Sequence, residues 1–109
     1  MITIFTGGTT YQRQMAMHSA IARKLPNAEV QSDDWIVPAL GTLQTWVQRF
    51  GYCAIHNYRP LAIAPYVPDM LRAFTKHGYN VWLTIERPED APEGLDDIIQ
   101  YVSITPNTL

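Results

Sequence analysis

The opening stretch of the chain, "MITIFTGGTTYQRQMAMHSAIARKL" at positions 1–25, decides the fold. Ile2–Phe5 is rich in β-branched and aromatic residues, which favour a strand, and Gly7 and Gly8 stop the run. A helix is expected next, over about Tyr11–Leu25, because its apolar residues recur at helical spacing. A strand that passes through a glycine turn into a helix is typical of the first unit of a parallel α/β sheet.

The rest of the chain continues to alternate helices with strands. Apolar residues three and four positions apart predict helices, and continuous apolar runs predict buried strands. In chain order the expected elements are an extended piece at Ala28–Gln31, a polar turn at Ser32–Asp34, a helix at Pro38–Phe50, a strand at Tyr52–Tyr58, a helix at Val67–Lys76, a strand at Tyr79–Glu86 and a last strand, or a short helix leading into one, at Ile98–Ile104. The prediction is a single α/β domain of two or three layers, with about three helices and a mainly parallel sheet of roughly four to five strands.

Composition limits the classes to which the protein can belong. Its 109 residues suit one domain, and an apolar share of 47% is ordinary for a globular protein. The net charge of −2 gives no general attraction for nucleic acid. Cys53 is the one cysteine, which excludes an internal disulfide, and no run approaches the roughly 20 apolar residues of a membrane span. We expect a cytoplasmic protein with no membrane partner, in the host cytoplasm if the source is viral.

Chemistry is expected at the carboxyl ends of the strands, where open parallel sheets place their sites. The first candidate is a phosphate or nucleotide site at Gly7, Gly8, Thr9, Thr10 and Arg13. Glycine amides approach an anion closely, the helix N-terminus carries partial positive charge, and the hydroxyls and the arginine add donors. The alternative is structural: the glycines turn the chain and a threonine caps the helix.

Two further groups of residues follow later strands. His56, Asn57 and Arg59 lie at the predicted end of a strand, where they can bind an anion or act in acid/base chemistry. Glu86 and Arg87 form the loop at the end of the next strand. The alternative for His56 is a structural histidine with satisfied hydrogen bonds. The histidines and the cysteine lack the spacing of metal ligands, so no metal site is expected.

The order of elements, with a strand, a glycine turn and a helix before later apolar strands, resembles that of a very small P-loop NTPase core. The segment "HGYNVWLTIERPEDAPEGLDDII" at positions 77–99 is similar in pattern to ATPases of phage assembly and conjugation, in which an apolar strand and a polar residue precede Arg-Pro and a loop. The resemblance implies a nucleotide-binding type of fold and a source in a phage or a mobile element.

The chain departs from the P-loop pattern at the residues that hold phosphate and metal. The pattern G-x-x-x-x-G-K-[ST] supplies a lysine for the phosphates and a hydroxyl for magnesium. The segment "GGTTYQRQ" at positions 7–14 has neither the second glycine nor the lysine. His56 and Asn57 stand where the resemblance implies an acidic metal ligand. No catalytic residue is carried over, and ordinary ATP hydrolysis is not expected.

Three functions remain open from the sequence. The favoured hypothesis is a non-catalytic binding or regulatory module that contacts a partner protein, because no complete catalytic set is present and the loops are rich in Pro, Tyr and Arg. The second is an enzyme on nucleotides or phosphorylated substrates, which would bind a nucleotide or phosphate at the glycine turn. The third is nucleic-acid binding through Arg13, Arg23, Lys24 and exposed aromatic residues. The oligomeric state stays undetermined.

Overall fold

A computed structural model of the protein describes residues 1–30, 32–34, 40–60 and 64–105. Its elements alternate between strand and helix. In chain order they are β1 (Ile2–Gly7), α1 (Thr10–Lys24), β2 (Asp33–Asp34), α2 (Leu40–Phe50), β3 (Tyr52–His56), α3 (Val67–Lys76), β4 (Asn80–Thr84) and β5 (Ile99–Ile104), with short 3-10 turns at Pro88–Asp90 and Asp96–Ile98. This architecture confirms the predicted α/β fold.

The strands form one sheet in the order β2-β3-β4-β1-β5, and every neighbouring pair is parallel. The carboxyl ends of the strands therefore meet at the same edge of the sheet. In this register Phe5 of β1 lies between Thr84 of β4 and Val102 of β5. Within the described chain β5 pairs with β1 alone, so the outer edge of β5 is open.

Two apolar cores lie on opposite faces of the sheet, because successive side chains of a strand point to opposite faces. The larger core packs under α2 and α3 and includes Ile2, Ile4, Val47, Ile55, Leu71 and Leu83. The smaller core packs under α1 and consists of Phe5, Met17, Ile21, Tyr52, Ala54 and Trp82. Two helices thus cover the first face, and of the described helices only α1 places fully buried side chains in the second core.

The connection from β4 to β5 is held against α3 by one arginine. Arg72 donates to both carboxylate oxygens of Asp97, at 3.0 and 3.1 Å, and to the carbonyl oxygen of Gly94 at 2.6 Å. The hydrogen bonds from Arg72 lower the pKa of Asp97. This bidentate contact fixes the 3-10 turn that leads directly into β5.

The sequence prediction was wrong at the polar turn Ser32–Asp34, which contains the second strand. It placed an extended piece at Ala28–Gln31 and a polar turn at Ser32–Asp34, whereas Asp33–Asp34 pairs with β3 as a very short strand. Residues 28–30 form no strand, and Gln31 lies outside the described residues. Pairing at a sheet edge uses backbone groups, so two consecutive aspartates can form it although their side chains give no strand pattern.

The other elements match the prediction closely, and α3 matches it at both ends. β3 stops at His56 rather than at Tyr58, because Asn57 adopts a left-handed backbone with a φ of 59° that cannot continue a strand. The predicted start of α2 at residues 38–39 lies outside the described residues. None of the helices that the structure describes combines the length and apolar character needed to cross a bilayer.

Candidate functional site

The turn between β1 and α1 is closed by its own side chains. Gly7 and Gly8 have φ values of 81° and 61°, a left-handed backbone that glycine adopts at low cost. Thr9 then caps α1: its Oγ1 accepts the amide N–H of Gln12 at 3.1 Å, and its own amide N–H donates to Oε1 of Gln12 at 2.9 Å. This reciprocal capping box occupies two backbone donors that the turn would otherwise offer to an anion.

Arg13 reaches back from α1 into the glycine turn. Its Nη1 donates to the carbonyl oxygens of Gly7 and Gly8 at 3.0 and 2.9 Å, and its Nη2 donates to Oγ1 of Thr10 at 3.1 Å. The residue is only 5% exposed, and a buried arginine needs such partners. Three neutral acceptors therefore hold Nη1 and Nη2 within the turn, whereas the buried Nε has no hydrogen-bond partner among the described residues.

The end of β5 restricts the same turn from another side. A Cβ atom on Gly7 would lie 2.7 Å from the carbonyl oxygen of Ile104. A Cβ atom on Gly8 would lie 2.7 Å from Oε1 of Gln12 and 2.8 Å from Cγ2 of Ile104. Backbone conformation and packing therefore account for both glycines through the fold itself.

A second polar cluster lies between the ends of β3 and β4. Nδ1 of His56 is 2.7 Å from Oγ1 of Thr84, and the same hydroxyl oxygen accepts the amide N–H of Asn57 at 2.7 Å. His56 is 3% exposed and Thr84 is fully buried. Oδ1 of Asn57 is buried and has no hydrogen-bond partner among the described residues. These contacts hold the end of β3 against β4 and leave little of the imidazole accessible to a substrate.

The remaining predicted residues of this edge face solvent. Arg59, Glu86 and Arg87 are exposed in the loops that follow β3 and β4. Nε of Arg87 lies 3.7 Å from carboxylate oxygens of Glu89 and Asp90. The pair with Glu89 is exposed on both sides, and such ion pairs contribute little stability. Asp90, unlike Arg87 and Glu89, is buried.

Tyr58 is hydrogen-bonded to the strand end that carries the second cluster. Its amide N–H donates to the carbonyl oxygen of Thr84 at 2.8 Å, and the residue is 1% exposed. Burial raises the pKa of Tyr58 to about 12, so the phenol stays protonated at neutral pH. No three His, Cys, Asp or Glu side chains in the described ranges are grouped to hold a metal ion.

The predicted site residues thus form two clusters, not one site. The first holds Gly7, Gly8, Thr9, Thr10 and Arg13, and the second holds His56 and Asn57. A backbone hydrogen bond from Ile85 to Phe5 joins the strand ends that carry them. The sequence analysis did not single out Thr84. The sequence indicated its role only by one hydroxyl residue at the end of an apolar run.

Comparison with known proteins gives no further assignment. The chain matches no protein-family model, no curated protein and no solved structure.

Proposed function

We propose that the protein is a non-catalytic binding or regulatory module that acts by contacting another protein. The observation that carries this proposal is the position of Arg13, whose guanidinium binds the carbonyl oxygens of Gly7 and Gly8. A phosphate site at this turn would need free amide donors and an accessible cation. The capping box occupies the amides of Thr9 and Gln12, and the burial of Arg13 leaves its guanidinium inaccessible.

Exposed apolar side chains support a role in protein contacts. Tyr11 and Met15, one helical turn apart on α1, are 69% and 45% exposed. Tyr101 on β5 is 51% exposed. Tyrosine and methionine are enriched in protein interfaces relative to the rest of the surface. A degenerate P-loop-like ancestry, and a place as an accessory protein of a phage or a mobile element, are part of the same proposal.

The enzyme alternative has weaker support. An acid or base must come within hydrogen-bond reach of the substrate, and His56 is 3% exposed and already contacts Thr84. The nucleic-acid alternative loses one of its proposed contacts, because Arg13 is buried, and retains the exposed Arg23 and Lys24. A negative net charge also opposes it.

The first test of this proposal is a thermal-shift screen with ATP, GTP, other nucleotides and phosphate, each with and without magnesium. A ligand that binds the native state raises the melting temperature by mass action. We expect no saturable rise with any member of the panel, and no hydrolysis of ATP. A saturable rise, or turnover above a heat-inactivated control, would overturn the non-catalytic proposal.

The second test is photo-crosslinking in an extract of the source cells. A photoreactive residue replaces Tyr11 or Tyr101, which are exposed, and in a matched control it replaces Lys76, an exposed residue at the end of α3. We expect a discrete adduct with a second protein from at least one of the two tyrosine positions, and excess unlabelled protein should compete it away. Absence of any adduct at both positions would contradict a role in protein contacts.

A further inference from the structure

A groove lies on the α1 face of the sheet, at the end opposite to the two polar clusters. Its volume is about 560 Å³. Apolar and hydroxyl side chains from neighbouring strands form its floor, including Thr3, Phe5, Trp82 and Val102. The last turns of α1 form one wall with Arg23 and Lys24. A volume of this size lies within the range of common ligand sites.

The groove follows from the way the helices cover the sheet. α1 packs against β1 and β4, with fewer contacts to β5. β5 is the outermost strand, so its α1-facing side chains extend beyond the helix. Gln100 is exposed and Val102 is only partly buried. The β5 side of the groove, at Gln100 and Val102, is therefore left accessible on this face, whereas Phe5 and Trp82 are only 3% and 5% exposed.

The wall of the groove is positively charged although the protein as a whole is negative. The net charge is −2, yet the lining contains Arg23 and Lys24 and no acidic residue. Neither cation forms an ion pair within the described ranges. Both stand in the last turn of α1, where the helix dipole also favours cations. A carboxylate entering the groove would meet two unpaired positive charges at once.

The open edge of β5 borders the same groove. Ile99–Ile104 has no charged residue, and its outer backbone groups pair with no strand in the described structure. Proteins usually protect such an edge with a lysine, a proline or a covering element. An extended peptide can add to an open edge through main-chain hydrogen bonds while alternate side chains enter pockets beside it.

We propose that the β5 edge and the Arg23–Lys24 groove together bind an extended segment of a partner protein that carries both carboxylates and apolar side chains. The segment would pair with β5, place an apolar side chain beside Val102 of that strand, and direct its carboxylates to the cationic wall. This inference rests on the proposed function as a protein-binding module, and it adds the surface and the chemistry of the partner.

The test uses a short fluorescent peptide that repeats Val-Val-Glu-Glu, so that each face of an extended strand carries both kinds of side chain. Fluorescence anisotropy measures its affinity for the full chain, with a Val-Val-Lys-Lys peptide as the comparison. We expect the glutamate peptide to bind at least tenfold more tightly, and the affinity to fall as salt is raised because exposed charges are screened. Equal binding of the two peptides, or no saturable binding of the glutamate peptide, would overturn the proposal.

A pair of double variants assigns the binding to this groove. R23E/K24E reverses the charges in the last turn of α1, and R49E/K76E reverses one charge in the last turn of α2 and one in that of α3. Both double variants change the net charge by the same amount, and all four substitutions lie in the last turn of a helix. We expect about tenfold weaker binding for R23E/K24E and less than a twofold change for R49E/K76E. Equal weakening by the two doubles would place the binding elsewhere and overturn the proposal.

Two more outcomes separate the competing explanations. Light scattering shows whether the chain forms a dimer. If it does, and if dimer formation abolishes peptide binding, the surface binds a second copy of the chain and the partner-segment proposal fails. If the peptide does not bind but the photo-crosslinking experiment still captures a protein, the groove proposal fails and the proposed function stands.

Discussion

Replacement of Arg13 by methionine tests the structural role of this residue most sharply. Methionine keeps an apolar stem of similar reach on α1 and removes the guanidinium, which makes three hydrogen bonds within the turn. Hydrogen bonds to charged groups contribute about 1.5–3 kcal/mol each. The sum of these three contributions is an upper bound on the stability lost, because the buried guanidinium also loses its hydration in the native state. In addition, Gly7 is exposed, so in the variant water can replace the guanidinium as the donor to its carbonyl oxygen.

We expect Arg13→Met to lower the free energy of unfolding by about 2 kcal/mol, which is close to the contribution of one charged hydrogen bond after these costs. For a domain of this size the melting temperature should fall by roughly 8 °C. Urea denaturation and calorimetry both measure the effect. Arg23→Met on the same helix is the matched control, because Arg23 is exposed and surface replacements usually change stability by less than about 0.5 kcal/mol. Equal stabilities of the two variants would refute the structural role of Arg13.

Three further predictions concern the turn and its surroundings. Gly7→Ala should destabilise the protein by at least about 1 kcal/mol more than Gly78→Ala, since both have positive φ but only the first would place its Cβ 2.7 Å from a backbone carbonyl of β5; equal losses in urea denaturation would contradict the packing argument. Thr9→Ala should cost about 1 kcal/mol through loss of the helix cap, whereas Ser19→Ala on the exposed face of α1 should change stability by less than about 0.5 kcal/mol; equal effects would argue against the cap. Burial raises the folded-state pKa of Tyr58 to about 12 from 10.0, so the stability that the protonated phenol contributes is fully present below pH 10 and is lost as the pH rises through 12. The melting temperature of Tyr58→Phe should therefore fall less over that pH range than the melting temperature of the wild type. Equal falls of the two melting temperatures would contradict this assignment.

Strong local patterns made most of the fold predictable. The apolar residues of α3 recur at helical spacing, and all of Val67, Met70, Leu71 and Phe74 are buried as that pattern requires. The continuous apolar run of β4 likewise matched a strand covered on both faces. Asp33–Asp34 was missed because an edge pair of backbone groups leaves no trace in side-chain polarity.

The chemistry of the turn was less accessible to sequence reasoning. The glycine turn can be interpreted as a phosphate loop or as a capped structural turn. The two interpretations differ in whether its N–H donors bind an external anion or acceptors within the turn. That depends on the side-chain conformation of Arg13 and on the distance between β5 and the glycines, and neither is encoded by local spacing. Similarly, His56 and Thr84 are 28 residues apart in sequence and meet only because β3 and β4 are neighbours in the sheet.

The proposal that the β1–α1 turn is a structural feature and not a phosphate site is tested most directly by an amide NMR titration of the labelled protein with ATP and magnesium. The backbone amides of Gly7, Gly8, Thr9 and Thr10 report on any anion that enters the turn. The account predicts no saturable shift of these four signals, because the turn is already closed by Arg13 and by the capping box. Saturable shifts at these amides, absent in Arg13→Met, would contradict it.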